Sequence, residues 1–217
     1  MAYRRTQQIE ERLADRRQAI VKAVRRVVGD VGFRDAQIAM VAAAAGVATG
    51  TVYRYFPSKA ELFAEAVSAN SRHEVEVIAQ IVASDGPPVQ RLQDAIKVFA
   101  SRALQAKQLA YAMIAEPADV EVEAARLEYR RAFGHLFRTL IEEGVRTGEL
   151  PAQDSEATSA CIVGALIEGL IGPLAPDAAR PTQESRLVDT IVRFCLRAVG
   201  AREATVAPLR PLNGGRS

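Results

Sequence analysis

Hydroxyl, aromatic and guanidinium groups are concentrated in one short stretch of this sequence, from residue 49 to residue 55. The side chains concerned are Thr49, Thr51, Tyr53, Arg54 and Tyr55. Groups of these types donate hydrogen bonds to base edges and phosphate oxygens. The apolar residues around them, Val47, Val52 and Phe56, recur at helical spacing, so the polar groups are expected on the outer face of a short helix. Such a helix suits the major groove of DNA.

The flanking residues predict the elements that hold this helix in place. An alanine-rich amphipathic stretch precedes it and ends at Gly46, where the chain needs a left-handed residue. A side chain there would cost about 1 kcal/mol or more. Pro57 stops the short helix, and Ser58 with Glu61 has the spacing of a capping box that opens the next one. The pattern therefore predicts a helix, a tight turn and a second helix, followed by a longer one.

Positive charge is concentrated in the same part of the chain. Residues 1–60 contain 11 Lys or Arg against 5 Asp or Glu, whereas the whole chain has a net charge of only +2. A basic module of this kind neutralises phosphates and releases their counterions. Charge alone is equally compatible with a solvated basic helix face, so the adjacent helical pattern is what favours DNA.

The order of residues between 32 and 62 resembles the DNA-binding region of the TetR family of transcriptional regulators. The matching residues are Gly32, Phe33, Val41, Ala42, Ala45, Gly46, Val47, Gly50, Thr51, Tyr53, Tyr55, Phe56, Ser58, Lys59 and Leu62. The resemblance covers about the first third of the chain. It implies a helical homodimer with an N-terminal helix-turn-helix and a C-terminal domain for ligand binding and dimerisation. Such a protein usually acts as a repressor that a small molecule releases from a palindromic operator.

The same resemblance implies roles for individual residues on DNA. It places Thr49, Gly50, Thr51 and Tyr53 nearest the bases, and Tyr55 and Lys59 on phosphates. Lys59 lies in the first turn of a helix, where a cation opposes the helix dipole, so a phosphate partner would explain it; the alternative is a solvated surface lysine. Arg54 is a further candidate for base reading, and Gln37 for a phosphate contact.

Three alanines depart from the family pattern. Ala48 and Ala36 stand where a capping Ser or Thr is common, and Ala39 offers only a methyl group where a polar base-reading side chain is frequent. Sequence-specific contacts are therefore expected mainly from residues 49–56.

Composition and periodicity predict an all-α fold of about nine helices. The 217 residues are 49% hydrophobic and 25% charged, which is ordinary globular usage, and no strand-like alternation competes with the helical patterns. We expect helices over about 10–29, 36–45, 49–56 and 59–83, then five more. The predicted domains are 1–60, with a basic N-terminal arm and the helix-turn-helix, 61–200 for ligand binding and dimerisation, and a disordered tail over 201–217.

An apolar run from Ser159 to Ala175 predicts a subunit interface. Several glycines interrupt the run, so it is too short and too broken to span a membrane comfortably. A helix that is apolar on nearly every side must instead be buried on several sides. The last helix, over about 182–199, is expected to turn Ile191, Phe194 and Cys195 inward. The predicted interface residues are Cys161, Gly164, Ala165, Glu168, Ile191 and Cys195.

Aromatic side chains in the middle of the chain predict an apolar cavity for a small apolar or aromatic effector. The candidates are Phe99, Tyr111, Met113, Tyr129, Phe133 and Phe137, with Glu116, His135 or Glu168 as polar anchors. Plain core packing is the alternative for each aromatic residue. If no effector exists, the protein is a constitutive DNA-binding regulator whose C-terminal domain only dimerises.

Other chemistry finds little support in the sequence. Neither histidine has metal-ligand spacing, and neither cysteine has a neighbouring base, so no cofactor, metal or catalytic residue is expected and an all-helical enzyme is the disfavoured alternative. Because no apolar stretch follows Arg4 and Arg5, we expect a cytoplasmic protein with no membrane association.

Overall fold

The computed structural model describes residues 2–178 and 184–202, with their side chains from residue 10 onward. This part of the chain contains nine helices and no strand, which confirms the predicted all-α class. The helices are α1 Ala2–Asp35, α2 Ile38–Ala45, α3 Thr49–Tyr55, α4 Lys59–Val82, α5 Pro88–Gln105, α6 Lys107–Ile114, α7 Val120–Thr147, α8 Ser155–Leu174 and α9 Glu184–Ala198. Residues 2–9, predicted as an arm, belong to α1, and the predicted tail beyond residue 202 lies outside the described residues.

The turn between α2 and α3 has the predicted left-handed glycine. Gly46 adopts φ 66° and ψ 37°, and its amide donates to the carbonyl of Ala43 at 3.1 Å. The amide of Val47 donates to the carbonyl of Ala42 at 3.0 Å, which closes the end of α2. A Cβ added at Gly46 would meet nothing within 4 Å, so the backbone conformation rather than lack of space requires glycine here.

The start of α4 forms one half of the predicted capping box. The hydroxyl of Ser58 accepts a hydrogen bond from the amide of Glu61 at 3.1 Å, which satisfies one amide that the helix leaves free. The carboxylate of Glu61 makes no return bond within the described residues. It still lies in the first turn, where negative charge complements the helix dipole.

The first helix is longer than predicted and is interrupted near its end. Gly32 has φ 79° and ψ 176°, so the helical path breaks there and a single turn follows up to Asp35. The predicted end near Gly29 was therefore early by a few residues. Gly29 and Gly32 both indicated an end of this helix. Only Gly32 has a positive φ, a backbone conformation that residues with side chains avoid.

The apolar side chains form two clusters. The first gathers α1, α2, α3 and the start of α4, and it also takes Ala112, Met113 and Val122 from later helices. The second gathers the rest of α4 with α5 to α9. Because α4 belongs to both, through Leu62 in the first and Ile78 in the second, the division near residue 60 stays a prediction about units that share one helix.

Helix α8 is the one helix within residues 2–178 and 184–202 that is long and apolar enough to cross a membrane, with a mean hydropathy of 1.6. Its side chains Ile162, Leu166 and Leu170 are buried in the second cluster. The helix packs against α5, α6, α7 and α9, so in this fold it is a member of the bundle.

Candidate nucleic-acid interface and ligand cavity

The outer face of α3 carries the predicted DNA-contacting groups. Val52 is completely buried and anchors the helix, while Thr49, Gly50, Tyr53 and Arg54 are exposed. The exposed set thus combines a hydroxyl, a phenol and a guanidinium on one short helix. Thr51 and Tyr55, also predicted to contact DNA, are half-buried. A Cβ added at Gly50 would meet nothing within 4 Å, so the backbone there is open to a close partner.

Two further predicted contacts flank α3. Lys59 is half-buried, and its ammonium lies 5.1 Å from the centre of the Phe63 ring with no carboxylate partner in the described chain. Gln37 is exposed at the N-cap of α2, where its side chain makes no capping hydrogen bond. Both polar ends are therefore available to a phosphate.

Arg17 ties the end of α3 to α1 and α4. Its guanidinium lies 4.8 Å from the centre of the Phe56 ring and 3.1 Å from a carboxylate oxygen of Glu65. Arg72 donates to the other oxygen of Glu65 at 3.2 Å. Burial works to raise the pKa of Glu65, but the hydrogen bonds from Arg17 and Arg72 outweigh it and hold that pKa below its usual value.

A cavity of about 200 Å³ lies where α4, α5, α6 and α7 meet α1. Of the six predicted ligand residues, Phe99, Met113 and Tyr129 line it. The other three do not. Phe133 and Phe137 are buried in the second cluster, and Tyr111 packs against that cluster.

The cavity wall carries an ion pair and a separate polar side chain. Arg102 donates two hydrogen bonds to the carboxylate of Glu74, at 2.7 and 2.8 Å. The side-chain oxygen of Asn70 is buried and has no hydrogen-bond partner among the described residues. Burial, reinforced by the Glu74 carboxylate, raises the pKa of Tyr129 above its ordinary value.

The predicted polar anchors lie elsewhere. His135 and Glu168 line a surface groove of about 720 Å³ between α7 and α8. Glu116 points toward the end of α1, where its carboxylate accepts from the amides of Phe33 and Arg34. The wall instead uses Asn70, Glu74 and Arg102, which the sequence did not indicate because polar residues on long helices usually face solvent.

Two family models match this chain. Residues 20–66 match the model described as bacterial regulatory proteins of the tetR family, and residues 85–168 match the tetracyclin repressor-like C-terminal domain. The chain belongs to the TetR family. The first match covers the helix-turn-helix, and the second covers most of α5 to α8.

Relatives of this TetR-family chain are repressors. The HTH-type transcriptional repressor KstR of Mycolicibacterium smegmatis is 27% identical over 182 residues, which is 84% of this chain and 87% of KstR. The HTH-type transcriptional repressor BepR of Brucella suis is 27% identical over 168 residues, 73% of this chain and 79% of BepR. The chain is accordingly a DNA-binding transcriptional regulator, in a family whose members named here are regulators rather than enzymes.

Solved structures share the TetR-family fold. FadR from Bacillus subtilis in complex with stearoyl-CoA superposes with a TM-score of 0.72 at 18% identity, over 84% of this chain and 98% of FadR. RolR in complex with resorcinol gives 0.68 at 19% identity, over 90% and 92% of the two chains. At these identities the likeness concerns the fold alone.

The predicted interface residues of this TetR-family chain divide into two groups. On α8, Cys161, Gly164 and Glu168 are exposed and Ala165 is half-buried. On α9, however, Ile191 is 7% exposed and Cys195 is fully buried, so both belong to the core of their own subunit. Their part in a subunit interface stays a prediction.

Phe194 takes the exposed position on α9. It was predicted to point inward, but 60% of it is accessible. Phe194 lies three positions after Ile191, and Cys195 lies four positions after it. Both spacings keep a residue on the same side of a helix, so the periodicity does not show which of the two is buried. Packing against α5 and α8 selects Cys195 for the core.

Within the described residues, no group of three His, Cys, Asp or Glu side chains is placed to hold a metal ion. The structure does show an exposed polar face on α3, a cavity lined by residues of α1 and α4 to α7, and an exposed face on α8 and α9.

Proposed function

We propose that this protein is a cytoplasmic, homodimeric repressor that leaves a palindromic operator when a small effector binds it. Membership of the TetR family supports the DNA-binding part of this proposal. The exposed groups of α3 support it further, since Thr49, Tyr53 and Arg54 present donors to a groove. Two copies would place their α3 helices in successive major grooves, with half-sites about 34–36 Å apart.

The exposed face of α8 and α9 supports dimerisation. Cys161, Gly164 and Glu168 recur on one side of α8, and a Cβ added at Gly164 would meet nothing within 4 Å. Small residues let two helix backbones approach closely. Phe194 adds a large exposed aromatic ring, a residue type enriched at the centres of interfaces. A second copy of the chain is the partner that would cover this face.

Release by an effector follows from the position of the cavity. Its wall includes Arg25 of α1 and Asn70 of α4, the two helices that frame the helix-turn-helix, as well as residues of α5 to α7. A molecule in the cavity therefore contacts helices that carry the DNA-binding unit. To move the dimer from 1% to 99% of a non-binding geometry, the effector must prefer that geometry by about 5.5 kcal/mol.

The cavity also restricts the chemistry of the effector. A volume of about 200 Å³ is below the roughly 300–1,000 Å³ of sites for drug-sized ligands. The rings of Phe99 and Tyr129 offer an aromatic surface, and the amide side chain of Asn70 adds a polar group to the wall. We propose a molecule with one aromatic ring and a hydroxyl group. Resorcinol belongs to this class, whereas stearoyl-CoA is much larger than the cavity.

A selection experiment followed by a release assay tests the proposal. Sequences bound from random DNA should contain a palindrome, and resorcinol should weaken binding to it and raise the melting temperature of the free protein. Stearoyl-CoA should do neither. Asn70→Leu replaces the amide with an apolar side chain of the same number of heavy atoms, so it should abolish the response to resorcinol while operator affinity remains.

The alternative outcomes are distinct. Specific DNA binding that no single-ring hydroxylated compound affects would identify a constitutive regulator. If no sequence is enriched from random DNA, the proposed function itself is wrong.

A further inference from the structure

The carboxylate of Glu116 joins the C-terminal helices to the start of the helix-turn-helix. Glu116 directly follows the C-cap of α6, and its two oxygens accept from the amides of Phe33 and Arg34 at 2.9 and 3.0 Å. We call this arrangement the Glu116 clamp. Hydrogen bonds to a charged acceptor are about twice as strong as neutral ones, and two of them fix an orientation as well as a distance.

The break at Gly32 makes the clamp possible. Its φ of 79° interrupts α1 and frees the amides of Phe33 and Arg34 at the start of a new helical turn. A Cβ at Gly32 would lie 2.9 Å from each carboxylate oxygen of Glu116, closer than real contacts allow. The backbone conformation therefore requires glycine, and a side chain at this position would also displace the Glu116 carboxylate from the two amides.

Other contacts also join α6 and α7 to the end of α1, next to the Glu116 clamp. The side-chain amide of Gln108, in α6, donates to the carbonyl of Asp30 in α1 at 2.7 Å. The buried guanidinium of Arg126, in α7, lies 5.8 Å from the centre of the Phe33 ring and donates to the carbonyl of Ala112. Helices α6 and α7 thus hold the end of α1 from two sides.

The clamp lies between the cavity and the DNA-facing helix. On one side, Leu109, Ala110 and Met113 of α6 line the cavity only a few residues before Glu116. On the other side, Phe33 and Arg34 precede α2 by a few residues. A shift of α6 therefore reaches the helix-turn-helix through one carboxylate.

We propose that Glu116 is a positioning residue that fixes the angle of the DNA-binding unit, so that it sets the half-site spacing the dimer accepts and passes movement of α6 to α2 and α3. This inference rests on the proposed dimeric repressor. Without the clamp, α6 holds the DNA-binding unit less firmly, and the dimer tolerates half-sites at other separations.

Glu116→Gln tests the inference, because glutamine has a similar shape but only one side-chain oxygen to accept from the two amides. Affinity is measured for the selected operator and for versions with the half-sites moved apart by one or two base pairs. The unaltered protein should discriminate among them, and the variant should lose about tenfold of that discrimination, as expected for about 1.4 kcal/mol. Glu121→Gln, at an exposed position of α7 with no partner in the part of the chain that the structure describes, should leave the discrimination unchanged.

The ratio of affinities separates positioning from stability. A partly unfolded sample binds every operator less well by the same factor, so it does not alter the ratio. Unchanged discrimination in Glu116→Gln overturns the inference while the dimeric repressor stands. If the unaltered protein itself shows no preference for spacing, the proposed dimer is wrong and the inference falls with it.

A substitution inside the cavity tests the route. Ala110→Phe fills the cavity from α6 and should change the spacing preference when Glu116 is present but not in combination with Glu116→Gln. An equal change in both backgrounds, or none in either, shows that movement of α6 does not pass through this carboxylate.

Discussion

The ring of Phe133 meets the ring of Tyr129 edge-on, with 4.5 Å between their centres. Phe133 also meets Phe99 edge-on at 4.9 Å, and it is only 2% exposed. It therefore supports two cavity-lining rings from behind without reaching the cavity itself. These two aromatic residues, one turn apart on α7, have different roles: Phe133 belongs to the core, and Tyr129 lines the cavity.

Phe133→Ala should destabilise the protein by about 3–5 kcal/mol, because it removes a fully packed ring and leaves a void. Urea unfolding followed by circular dichroism measures this. Tyr129→Phe is the matched variant, since it keeps the ring and removes only the hydroxyl, and it should change stability far less. If Phe133→Ala retains the full free energy of unfolding, the ring does not have the core role described here.

Gly50→Ala should separate stability from DNA binding. A Cβ there meets nothing within 4 Å, so the change should raise stability by about 0.4–1 kcal/mol through the unfolded chain. The methyl group would lie on the exposed face of α3 that we propose contacts DNA, so operator affinity should fall at least about tenfold, or about 1.4 kcal/mol. Normal operator affinity in Gly50→Ala would exclude close backbone approach at Gly50.

Lys59→Ala should weaken binding to all DNA sequences to a similar degree. The slope of log affinity against log salt should decrease by about 0.9 per lost phosphate contact, or roughly 1.8 for a dimer. Lys107→Ala is the control, because that ammonium bonds to the carbonyl of Ala178 in the C-terminal part of the chain. An unchanged salt slope for Lys59→Ala would remove this residue from the DNA interface.

Thr49→Ala and Arg54→Ala should act differently from Lys59→Ala. Loss of a base-reading side chain costs about 1–3 kcal/mol per half-site and relaxes the preference at one position. Repeating the selection from random DNA with each variant measures this. A uniform loss across sequences would assign the altered residue to phosphate.

The two cysteines report on the proposed dimer face. Burial raises the pKa of Cys195 to about 11, so iodoacetamide at pH 8 should not label it in the folded protein. Cys161 is exposed on the subunit and should become protected in the dimer. Gly164→Arg should yield monomers by sedimentation, with rapid labelling of Cys161 and weak operator binding.

A control variant introduces the same side chain away from the proposed interface, to separate disruption of that interface from the added positive charge itself. Glu121→Arg places a new arginine at an exposed site on α7 and should leave both the dimer and the protection of Cys161 intact. A folded Gly164→Arg protein that remains dimeric would place the interface on another surface.

Glu65 should contribute to acid sensitivity. Its pKa is lower in the folded protein than its ordinary value of 4.5, so its stabilising effect is present above that value and is lost as the pH falls through the lower folded value. The group is partly exposed, so Glu65→Gln should cost less than about 1 kcal/mol at pH 7. Urea unfolding from pH 6 to pH 3 should show a shallower loss of stability in the variant than in the unaltered protein.

The sequence alone determined the helices and the helix-turn-helix. Apolar spacing, the left-handed Gly46 and the cap at Ser58 are local properties, since they depend on residues within one or two turns of each other. These signals placed α2, α3 and the start of α4 within about two residues. The charge excess before residue 60 and the order of motif residues then indicated DNA.

Only the tertiary structure decided which face of each helix meets which neighbour. Periodicity groups Ile191, Phe194 and Cys195 on one side of α9, but packing against other helices buries two of them and exposes the third. The bond from Glu116 to residues 33 and 34 spans more than eighty positions and depends on a break in α1 that two glycines could have produced. Contacts between distant residues follow from how the helices pack, and a local pattern holds no information about that packing.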